Sequence, residues 1–455
     1  MRRRALSLLL LLCGFSAQAL LTNNLVADWR ADLGITAPTG RVSQWTDQHQ
    51  LLNNDGLGSH QLTQTNGSRQ PYTVQDPAGG PAVMFPWGSP TPPQTYLNLP
   101  TTLGGFDTAN TTVYVVGSGP AAQENETLLW FGGTASGWLS FHQITTNPIS
   151  MLVGTQNSGI YPPLNRAVLV GSSDTNVTTL RWNSVLRTNP PQTRVTSSSG
   201  GMLASFNSSE FYSGVIHRIL IYKTAHTPAQ MDAQVSELAA TYRIFTNYTK
   251  QVVCRGASTV AGQGSTLLQG FVPQLCQRYP EIIWRAQSDI NGGQNGQIGT
   301  NGFAGSMYAF DPGYIDTLYD AALDQNWLFV IAGINDILSS GLNGTATYGR
   351  LTNYVAARHA ARPWKIVVST VQSDAPAPAT NADYNAQIRL KPGGWDRIID
   401  PGAGSPIETR LSNFADTRYF NTDGIHLTNL GYSVLADHLA QIINVPRRTT
   451  GSFGP

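Results

Sequence analysis

The sequence predicts a multidomain protein in which an all-β unit precedes an α/β unit, and three observations lead to this prediction. The chain has 455 residues, which is too long for one ordinary hydrophobic core. From about residue 111 to residue 223, short β-type runs alternate with Gly, Asn, Pro and Ser clusters, as in antiparallel sandwiches. After about residue 249, apolar runs alternate with helical segments, which indicates βαβ units around a parallel sheet.

The composition is that of a folded chain with many turns. Hydrophobic residues make up 41% and charged residues only 12%, about half the usual charged fraction, and there are 45 glycines. Disordered chains combine low hydrophobicity with high net charge, so this class does not fit. The formal net charge is +1, and nothing in this balance points to nucleic acid or to an anionic membrane as a partner.

The first residues are typical of a secretory signal peptide. Residues 2–4 are three arginines, residues 8–12 are apolar, and residues 17–19 have the small-x-small pattern of a cleavage site. We therefore expect residues 1–19 to be removed and the chain to be secreted; an uncleaved membrane anchor is the alternative. The apolar run is too short to span a bilayer, and no later run reaches about 18 apolar residues.

Secretion would allow disulfide formation between cysteines and glycosylation of several asparagines. Cys13 leaves with the signal, and an oxidising route permits a disulfide between Cys254 and Cys276, with two buried thiols as the alternative. Seven sequons could carry glycans in a secreted eukaryotic chain. They are Asn66, Asn110, Asn125, Asn176, Asn207, Asn247 and Asn343.

The first half has seven runs with the composition of strands and then one helix. The strands are predicted at residues 112–116, 128–131, 138–141, 151–153, 167–170, 179–182 and 215–222. Thr227 is a favourable N-cap, Pro228 suits the first helical position, and Gln230 completes a capping box. The packed face of the helix would consist of Met231, Val235, Leu238 and Tyr242.

Three segments of this half resemble concanavalin A-like, laminin-G-like modules. They are LVADWRAD at residues 25–32, GRVSQWTDQ at residues 40–48, and SGVIHRILIY at residues 213–222 with the helix that follows. The resemblance implies a jelly-roll sandwich over residues 20–246 that binds a glycan or a protein. Such modules sometimes use calcium, although no residue pattern here indicates it. Four aromatic residues could stack on sugars, although a place in the core is the favoured interpretation: Trp130, Trp138, Phe141 and Tyr161.

In the second half, strands are predicted at residues 252–253, 282–284, 327–331 and 366–368. Helices are predicted at residues 267–276, 314–322, 348–359 and 428–443. Ligands of open α/β sheets bind at the carboxyl ends of the strands. Four segments are placed at such ends or just before the last helix: VVCRGAS at 252–258, NGGQNG at 291–296, GIND at 333–336 and DGIH at 423–426.

The spacing within the last segment is informative. Because His426 follows Asp423 by three positions, Asp423 can accept a hydrogen bond from the ring of His426 and so fix its tautomer. The other ring nitrogen is then free to take a proton from a serine hydroxyl, which is a weak nucleophile without such a base. Ser258 follows a strand and a glycine, where a helix begins.

The four segments in this order resemble the SGNH hydrolases, also called GDSL-type esterases. The resemblance covers residues 250–446 and implies a three-layer, flavodoxin-like α/β fold, followed by a flexible tail at 447–455. It implies Ser258 as nucleophile, His426 as general base and Asp423 as its orienting acid. The oxyanion hole would be formed by the N–H groups of Ser258 and Gly296 and by the side chain of Asn335.

The sequence departs from this family at one position and leaves one assignment open. Ala257 stands where the first motif of the family usually has Asp. Gly293 and Gly299 compete with Gly296 for the oxyanion role. The resemblance implies a secreted esterase that uses no cofactor and acts on carboxylic esters, with O-acetyl or acyl esters of carbohydrates as the expected substrates.

The alternative function, motivated by Ala257, is a secreted glycan- or protein-binding adhesion protein with a degenerate hydrolase domain. The sequence contains no His-Glu-x-x-His, no Cys-x-x-Cys and no phosphate-binding loop. Metalloprotease, redox-dithiol and nucleotide-hydrolysing chemistry therefore have no support.

Overall fold

A computed structural model describes most of the chain. The described residues are 21, 23–49, 60–76, 80–86, 95–100, 106–107, 110–118, 126–131, 139–143, 149–153, 156–157, 163–174, 176–189, 196–197, 201–205, 211–266, 269–288, 297–300, 306–371, 377–390, 393–401 and 408–443. The predicted signal peptide and tail lie outside these residues, as do Trp138, Tyr161 and Gly296.

The described residues of the first half form two large antiparallel sheets and one two-stranded sheet. Its strands are β1 (Leu25–Arg30), β2 (Ile35–Thr36), β3 (Gln44–Trp45), β4 (Leu62–Thr63), β5 (Tyr72–Asp76), β6 (Gly80–Phe85), β7 (Leu97–Leu99), β8 (Phe106–Asp107), β9 (Thr111–Gly117), β10 (Glu126–Phe131), β11 (Leu139–Gln143), β12 (Ile149–Val153), β13 (Gln156–Asn157), β14 (Ala167–Ser173), β15 (Thr178–Trp182), β16 (Val185–Asn189), β17 (Thr196–Ser197), β18 (Gly201–Leu203) and β19 (Gly214–Tyr222). One sheet has the order β16-β15-β14-β9-β19-β6-β5 with β1 paired to β19. The other has the order β13-β12-β11-β10-β18-β7-β4-β3-β2, and β17 pairs with β8.

Alternation along the strands explains how these sheets pack. In β9, Val113 and Val115 lie in one buried cluster with residues of both sheets, such as Leu129 and Leu203. Their neighbour Tyr114 belongs to a second cluster on the outer face. Because successive side chains of a strand point to opposite faces, the first cluster is the core between the sheets and the second needs a cover. The seven strands predicted in this half are all present.

That cover is helix α1 (Pro228–Thr241). Thr227 and Gln230 form the predicted capping box, and Pro228 occupies the first turn. Met231, Val235 and Leu238 are buried in the cluster around Tyr114 on the outer face of the eight-stranded sheet. Tyr242 is the C-cap residue and is half-buried.

The second half contains a five-stranded parallel sheet. Its strands are β20 (Lys250–Gly256), β21 (Ile283–Ser288), β22 (Gln325–Ile331), β23 (Lys365–Ser369) and β24 (Arg397–Ile399), in the order β21-β20-β22-β23-β24. This is the order of flavodoxin-like sheets. The helices are α2 (Ser258–Ala261), α3 (Phe271–Arg278), α4 (Met307–Tyr314), α5 (Ile334–Leu338), α6 (Gly344–Ala361), α7 (Pro378–Leu390) and α8 (Asn429–Ile442). Turns of 3₁₀ helix lie at Gly67–Arg69, Asp316–Leu318 and Glu408–Leu411.

Two buried clusters place helices on both faces of this sheet. Val252 and Phe329 share one cluster with α3 and α8, whereas Val253 and Leu328 share the other with α4, α6 and α7. A parallel sheet covered on both faces is buried throughout, which is why its strands are almost continuously apolar. The prediction of a β-rich half followed by alternating strands and helices is confirmed; the assignments to two particular families remain predictions.

Some element predictions were wrong or incomplete. The helix predicted at 314–322 lies earlier, at Met307–Tyr314, and a 3₁₀ turn follows at Asp316–Leu318. The Asn326 side chain accepts from the N–H of Asp320 and donates to its carbonyl oxygen. These bonds hold residues 320–326 in a turn, so the helix does not continue to residue 322. The helix predicted at 267–276 is observed at Phe271–Arg278. Helix α7 and strand β24 were not predicted from the sequence.

Cys254 and Cys276 are both free thiols in the structure, so the predicted disulfide is not formed there; Cys254 is buried as the alternative expected, whereas Cys276 is half-buried. Five sequon asparagines are exposed, which leaves them accessible to modification: Asn66, Asn110, Asn176, Asn247 and Asn343. Asn125 and Asn207 lie outside the described residues. Among the helices that the structure describes, none combines the length and the apolar character that crossing a membrane requires.

Candidate active site

Ser258 begins helix α2 immediately beyond the carboxyl end of β20. Gly256 ends that strand, and a Cβ atom at Gly256 would lie 2.3 Å from the carbonyl oxygen of Ile331. Only glycine therefore allows β20 and β22 to approach this closely, with Gly256 in register with Ile331. Ala257 is the N-cap residue of α2 and is buried. Its carbonyl oxygen accepts from the N–H groups of Val260 at 3.0 Å and Ala261 at 3.2 Å, which closes the short helix.

Asn335 lies beyond the carboxyl end of the neighbouring strand, β22. Gly333 has φ +113°, and a Cβ atom there would lie 2.7 Å from the ring of Tyr384. This glycine lets the chain turn sharply into α5, where Asn335 is the second residue and is half-buried. The segments that carry Ser258 and Asn335 thus end adjacent parallel strands.

Asp423 and His426 form a directly bonded pair. His426 Nδ1 lies 2.6 Å from Asp423 Oδ2, and the N–H groups of Ile425 and His426 each donate to Asp423 Oδ1 at 2.9 Å. The His426 side chain is 14% exposed and that of Asp423 45%. Burial acts to raise the pKa of the Asp423 carboxyl, but these hydrogen bonds outweigh it and hold the pKa below its ordinary value. The carboxylate is therefore ionised at neutral pH and can orient the ring.

Residues that the sequence analysis missed attach the His426 loop to the chain after Ser258. Asn421 donates to the carbonyl oxygens of Gly264 (3.1 Å) and Leu427 (2.9 Å). Asn429 accepts from the N–H of Thr266 (2.8 Å) and donates to its hydroxyl (2.7 Å). A Cβ atom at Gly264 would lie 3.0 Å from the Cβ of His426. No short-range sequence pattern marks these partners, which are more than 150 residues apart in sequence.

Ser258 and His426 thus lie on segments that touch, although no hydrogen bond joins their side chains within the described part of the chain. Ile425, the neighbour of His426, lines the same cleft as Ser258. The other lining residues are Ala257, Thr259, Ile331, Ala332, Ile334 and Val371. The cleft has an empty volume of about 380 Å³, part of it open to solvent, and its lining is mainly aliphatic.

Asp336 is another residue that was not singled out from the sequence, and it binds the backbone at residues 298 and 299. Its buried carboxylate accepts from the N–H groups of Ile298 (2.8 Å) and Gly299 (3.2 Å) and pairs with Arg350 (2.8 Å). Gly296 and Gly293 lie outside the described residues. The N–H of Gly299 is engaged by Asp336, so that glycine is the least suitable of the three for binding an oxyanion.

The other two histidines of this half, His359 and His438, lie outside the candidate site. His359 Nε2 lies 2.8 Å from the carbonyl oxygen of Gly394, and His438 is buried within α8. In the described ranges, no group of three or more His, Cys, Asp or Glu side chains is arranged to hold a metal ion.

No protein-family model and no curated protein matches the chain. Three of the solved structures that match are as follows. A member of the lipolytic protein G-D-S-L family from Veillonella parvula is 14% identical, over 42% of this chain and 97% of its own, with a TM-score of 0.33. A carbohydrate esterase family 3 protein from Talaromyces cellulolyticus is 15% identical, over 42% and 95%, with a TM-score of 0.30. Domain 4 of an extracellular GH43 arabinanase from Geobacillus stearothermophilus, in complex with arabinotriose, is 15% identical, over 47% and 98%, with a TM-score of 0.34. Similarities of this size assign neither a family nor a function.

Proposed function

We propose that this protein is a secreted serine esterase of the SGNH type that hydrolyses carboxylic esters through an acyl-enzyme. One observation carries the proposal: a bonded Asp423–His426 pair is held by Asn421 against the turn that follows Ser258, and Ser258 opens into a cleft. These are the nucleophile, base and orienting acid that such chemistry requires.

In the proposed reaction, Ser258 Oγ attacks the ester carbonyl carbon while His426 Nε2 takes the hydroxyl proton. The tetrahedral intermediate collapses, the bond to the alcohol oxygen breaks, and His426 returns the proton to the leaving alcohol. A water molecule then attacks the acyl-enzyme in the same way, giving the free acid and restoring Ser258. Asp423 stays ionised and stabilises the imidazolium formed in each step, since its pKa is held low.

The negative charge on the carbonyl oxygen needs hydrogen-bond donors. We assign this role to the N–H of Ser258, the side chain of Asn335 and the N–H of Gly296. The first two lie beyond the ends of the adjacent strands β20 and β22. Asp336 supports the third by anchoring the residues just after Gly296.

We further propose that the esters are borne by carbohydrates, with the β-sandwich half acting as a lectin-like module. A module that binds the glycan raises the local concentration of its esters near Ser258. The alternative is a glycan- or protein-binding adhesion protein whose hydrolase half is inactive, and the observation that favours it is Ala257, which leaves α2 without a side-chain cap.

The test is hydrolysis of p-nitrophenyl acetate by the purified chain and by Ser258→Ala. The matched control is Ser236→Ala, which changes an exposed serine on α1. We expect turnover by the native chain and the control and none above background by Ser258→Ala. Equal rates in native chain and Ser258→Ala, or glycan binding with no turnover on p-nitrophenyl or glycan esters, would favour the adhesion alternative.

A further inference from the structure

The outer face of the sandwich has a cleft of its own beside helix α1, which we call the outer cleft. Its volume is about 630 Å³, within the range of small-molecule sites. Strand β15 contributes Arg181 to its lining, α1 contributes Asp232, and the segment after α1 contributes Arg243 and Thr246. The reaction proposed at Ser258 uses none of these residues.

The outer cleft is separate from the proposed active site. Thr246 precedes β20 by four residues, whereas Ser258 lies beyond the carboxyl end of that strand. The seven residues of β20 span about 20 Å. A group held in the outer cleft is therefore not the group cleaved at Ser258.

Arg181 is the buried cation of the outer cleft. Its side chain is 8% exposed and donates through Nη1 to Asp232 at 2.5 Å and through Nε to the carbonyl oxygen of Asn183. Its third nitrogen, Nη2, has no hydrogen-bond partner among the residues that the structure describes. Because a guanidinium has five N–H donors in a fixed fork, Arg181 can bind a further acceptor in the cleft.

Arg243 is a second cation, and its backbone has a conformation that favours glycine. It follows Tyr242, the C-cap residue of α1, and has φ +51°. The N–H of Ile244 donates to the carbonyl oxygen of Ala239 at 2.8 Å, and the N–H of Arg243 donates to that of Ala240 at 3.3 Å. This is the Schellman arrangement, in which glycine is usual at the position of positive φ. Ending the helix therefore does not require the arginine side chain, which lines the outer cleft.

The outer cleft has an excess of positive charge. The charges of Arg181 and Asp232 offset each other, and within the described ranges no carboxylate lies in salt-bridge distance of Arg243. The other lining residues are aliphatic or carry hydroxyl groups, and those with hydroxyl groups are Ser184, Ser236 and Thr246. This surface is suited to a ligand with one negative charge, several hydroxyl groups and an apolar face.

We propose that the outer cleft binds an acidic saccharide, a sugar unit with a carboxylate such as a hexuronate. Its carboxylate would pair with Arg243 and with Nη2 of Arg181, since forked guanidinium donors match a carboxylate. Its hydroxyl groups would bond to the Asp232 carboxylate, and the C–H face of its ring would pack on the aliphatic residues. A phosphate group has a charge near −2 at neutral pH and would be repelled more strongly by Asp232.

This inference rests on the part of the proposed function that makes the sandwich a glycan-binding module. It adds the place of binding and the class of glycan, and it does not depend on ester hydrolysis at Ser258.

The experiment is isothermal titration calorimetry of the full chain with trimers of galacturonate, glucuronate and mannuronate, with neutral galactotriose and with inorganic phosphate. We expect at least one acidic trimer to bind about 10-fold or more tightly than galactotriose and phosphate, because a hydrogen bond to a charged group contributes about this factor. Arg243→Gly should lower that affinity by about 10-fold or more. Glycine suits φ +51°, so this variant should keep the native unfolding temperature to within a few degrees.

The matched control is Arg187→Ala, which removes an exposed arginine of β16 outside the lining of the outer cleft and should leave the affinity unchanged. Equal binding of acidic and neutral trimers, phosphate binding as tight as that of the acidic trimers, or an equal loss in Arg187→Ala and Arg243→Gly would overturn the acidic-saccharide inference alone. Absence of binding to every trimer would overturn the glycan-binding role as well. Hydrolysis of p-nitrophenyl acetate should be the same in Arg243→Gly as in the native chain, and its absence from both would overturn the esterase function and not this inference.

Discussion

Ala257 changes the surroundings of Ser258, the proposed nucleophile, without replacing it. It provides no oxygen to cap α2, and its methyl group lines the cleft beside Ser258. Asn335 and the Asp423–His426 pair, by contrast, retain the residue types that ester hydrolysis requires. The described lining of the cleft thus combines the proposed nucleophile Ser258 with mainly aliphatic side chains.

Asn335 is the residue whose removal should most directly report on oxyanion binding. Loss of one such donor typically lowers kcat by about 100- to 1000-fold, because the negative charge of the transition state loses a hydrogen bond. We expect Asn335→Ala to lower kcat for p-nitrophenyl acetate by this factor with little change in KM. Asn176→Ala, an exposed turn residue, is the control. A loss of less than about 10-fold would contradict the assignment.

At the scale of elements, α1 covers a cluster of buried polar rings on the outer face of the sandwich. The hydroxyl of Tyr114 lies 2.7 Å from His226 Nδ1, and the Tyr222 ring packs on the same imidazole at 4.4 Å between centroids. Burial lowers the pKa of His226 to about 4. The neutral ring then accepts a hydrogen bond from Tyr114, whose own pKa burial raises.

This shift predicts acid sensitivity of the sandwich. Between about pH 6.5 and pH 4 the unfolded chain binds a proton at His226 and the folded chain does not, so stability is lost as the pH falls through this window. The loss is on the order of 3 kcal/mol at most. We expect His226→Gln to reduce the difference in urea midpoint between pH 7 and pH 4.5.

His359→Gln, at a histidine bonded on the surface of the other half, is the control for that measurement. An unchanged difference between the two pH values in His226→Gln would contradict the prediction.

Helix α7 is the element that most affects the site without supplying a reactive group. Tyr384 and Asn385 hold the ends of β22 and β23. Its sequence is polar, with Asn381, Asn385 and Gln387 on buried positions. Asn385 bonds the backbone of Val371, and Gln387 donates to the Thr345 hydroxyl. Tyr384 and Ile388 add buried hydrophobic side chains, but with polar residues at the other buried positions they form no long apolar stripe, so periodicity did not reveal the helix.

At the scale of the whole molecule, the two halves are joined at the edge of the parallel sheet. Asn165 donates to the carbonyl oxygen of Ile282 and accepts from the N–H of Trp284, both at 2.8 Å. The N–H of Leu164 adds a bond to the carbonyl oxygen of Trp284 at 3.1 Å. A loop of the sandwich thus pairs with β21, an edge strand that would otherwise have unpaired backbone groups. The Trp182 and Tyr248 rings stack at 5.5 Å between centroids.

Removing the Asn165 side chain should weaken the contact between the two halves. Asn165→Ala leaves two buried backbone groups of the β21 edge without partners, at about 1–3 kcal/mol for each. We expect calorimetry of the variant to show a lower first unfolding transition that separates from the second. Asn176→Ala should unfold like the native chain. A single transition at the native temperature in Asn165→Ala would show that the halves do not depend on this contact.

The features that the sequence alone determined about this protein are those that depend on near neighbours. The strands of the sandwich follow from alternating composition, and the start of α1 follows from Thr227, Pro228 and Gln230. The bond between Asp423 and His426 follows from a spacing of three, and the position of Ser258 follows from a strand that ends in glycine. Each of these depends on a few consecutive residues, so a local pattern is sufficient.

The contacts that hold these local features together join residues far apart in the chain and arise only when it is folded. Asn421 and Gly264 are 157 residues apart, and Asn165 and Ile282 are 117 apart. Single polar side chains make these contacts and those of Asp336 and Asn385. In the sequence they are indistinguishable from the other asparagines and aspartates of turns and caps. Their partners are backbone groups, which every residue has, so only the packing of the whole chain selects which backbone group each side chain meets.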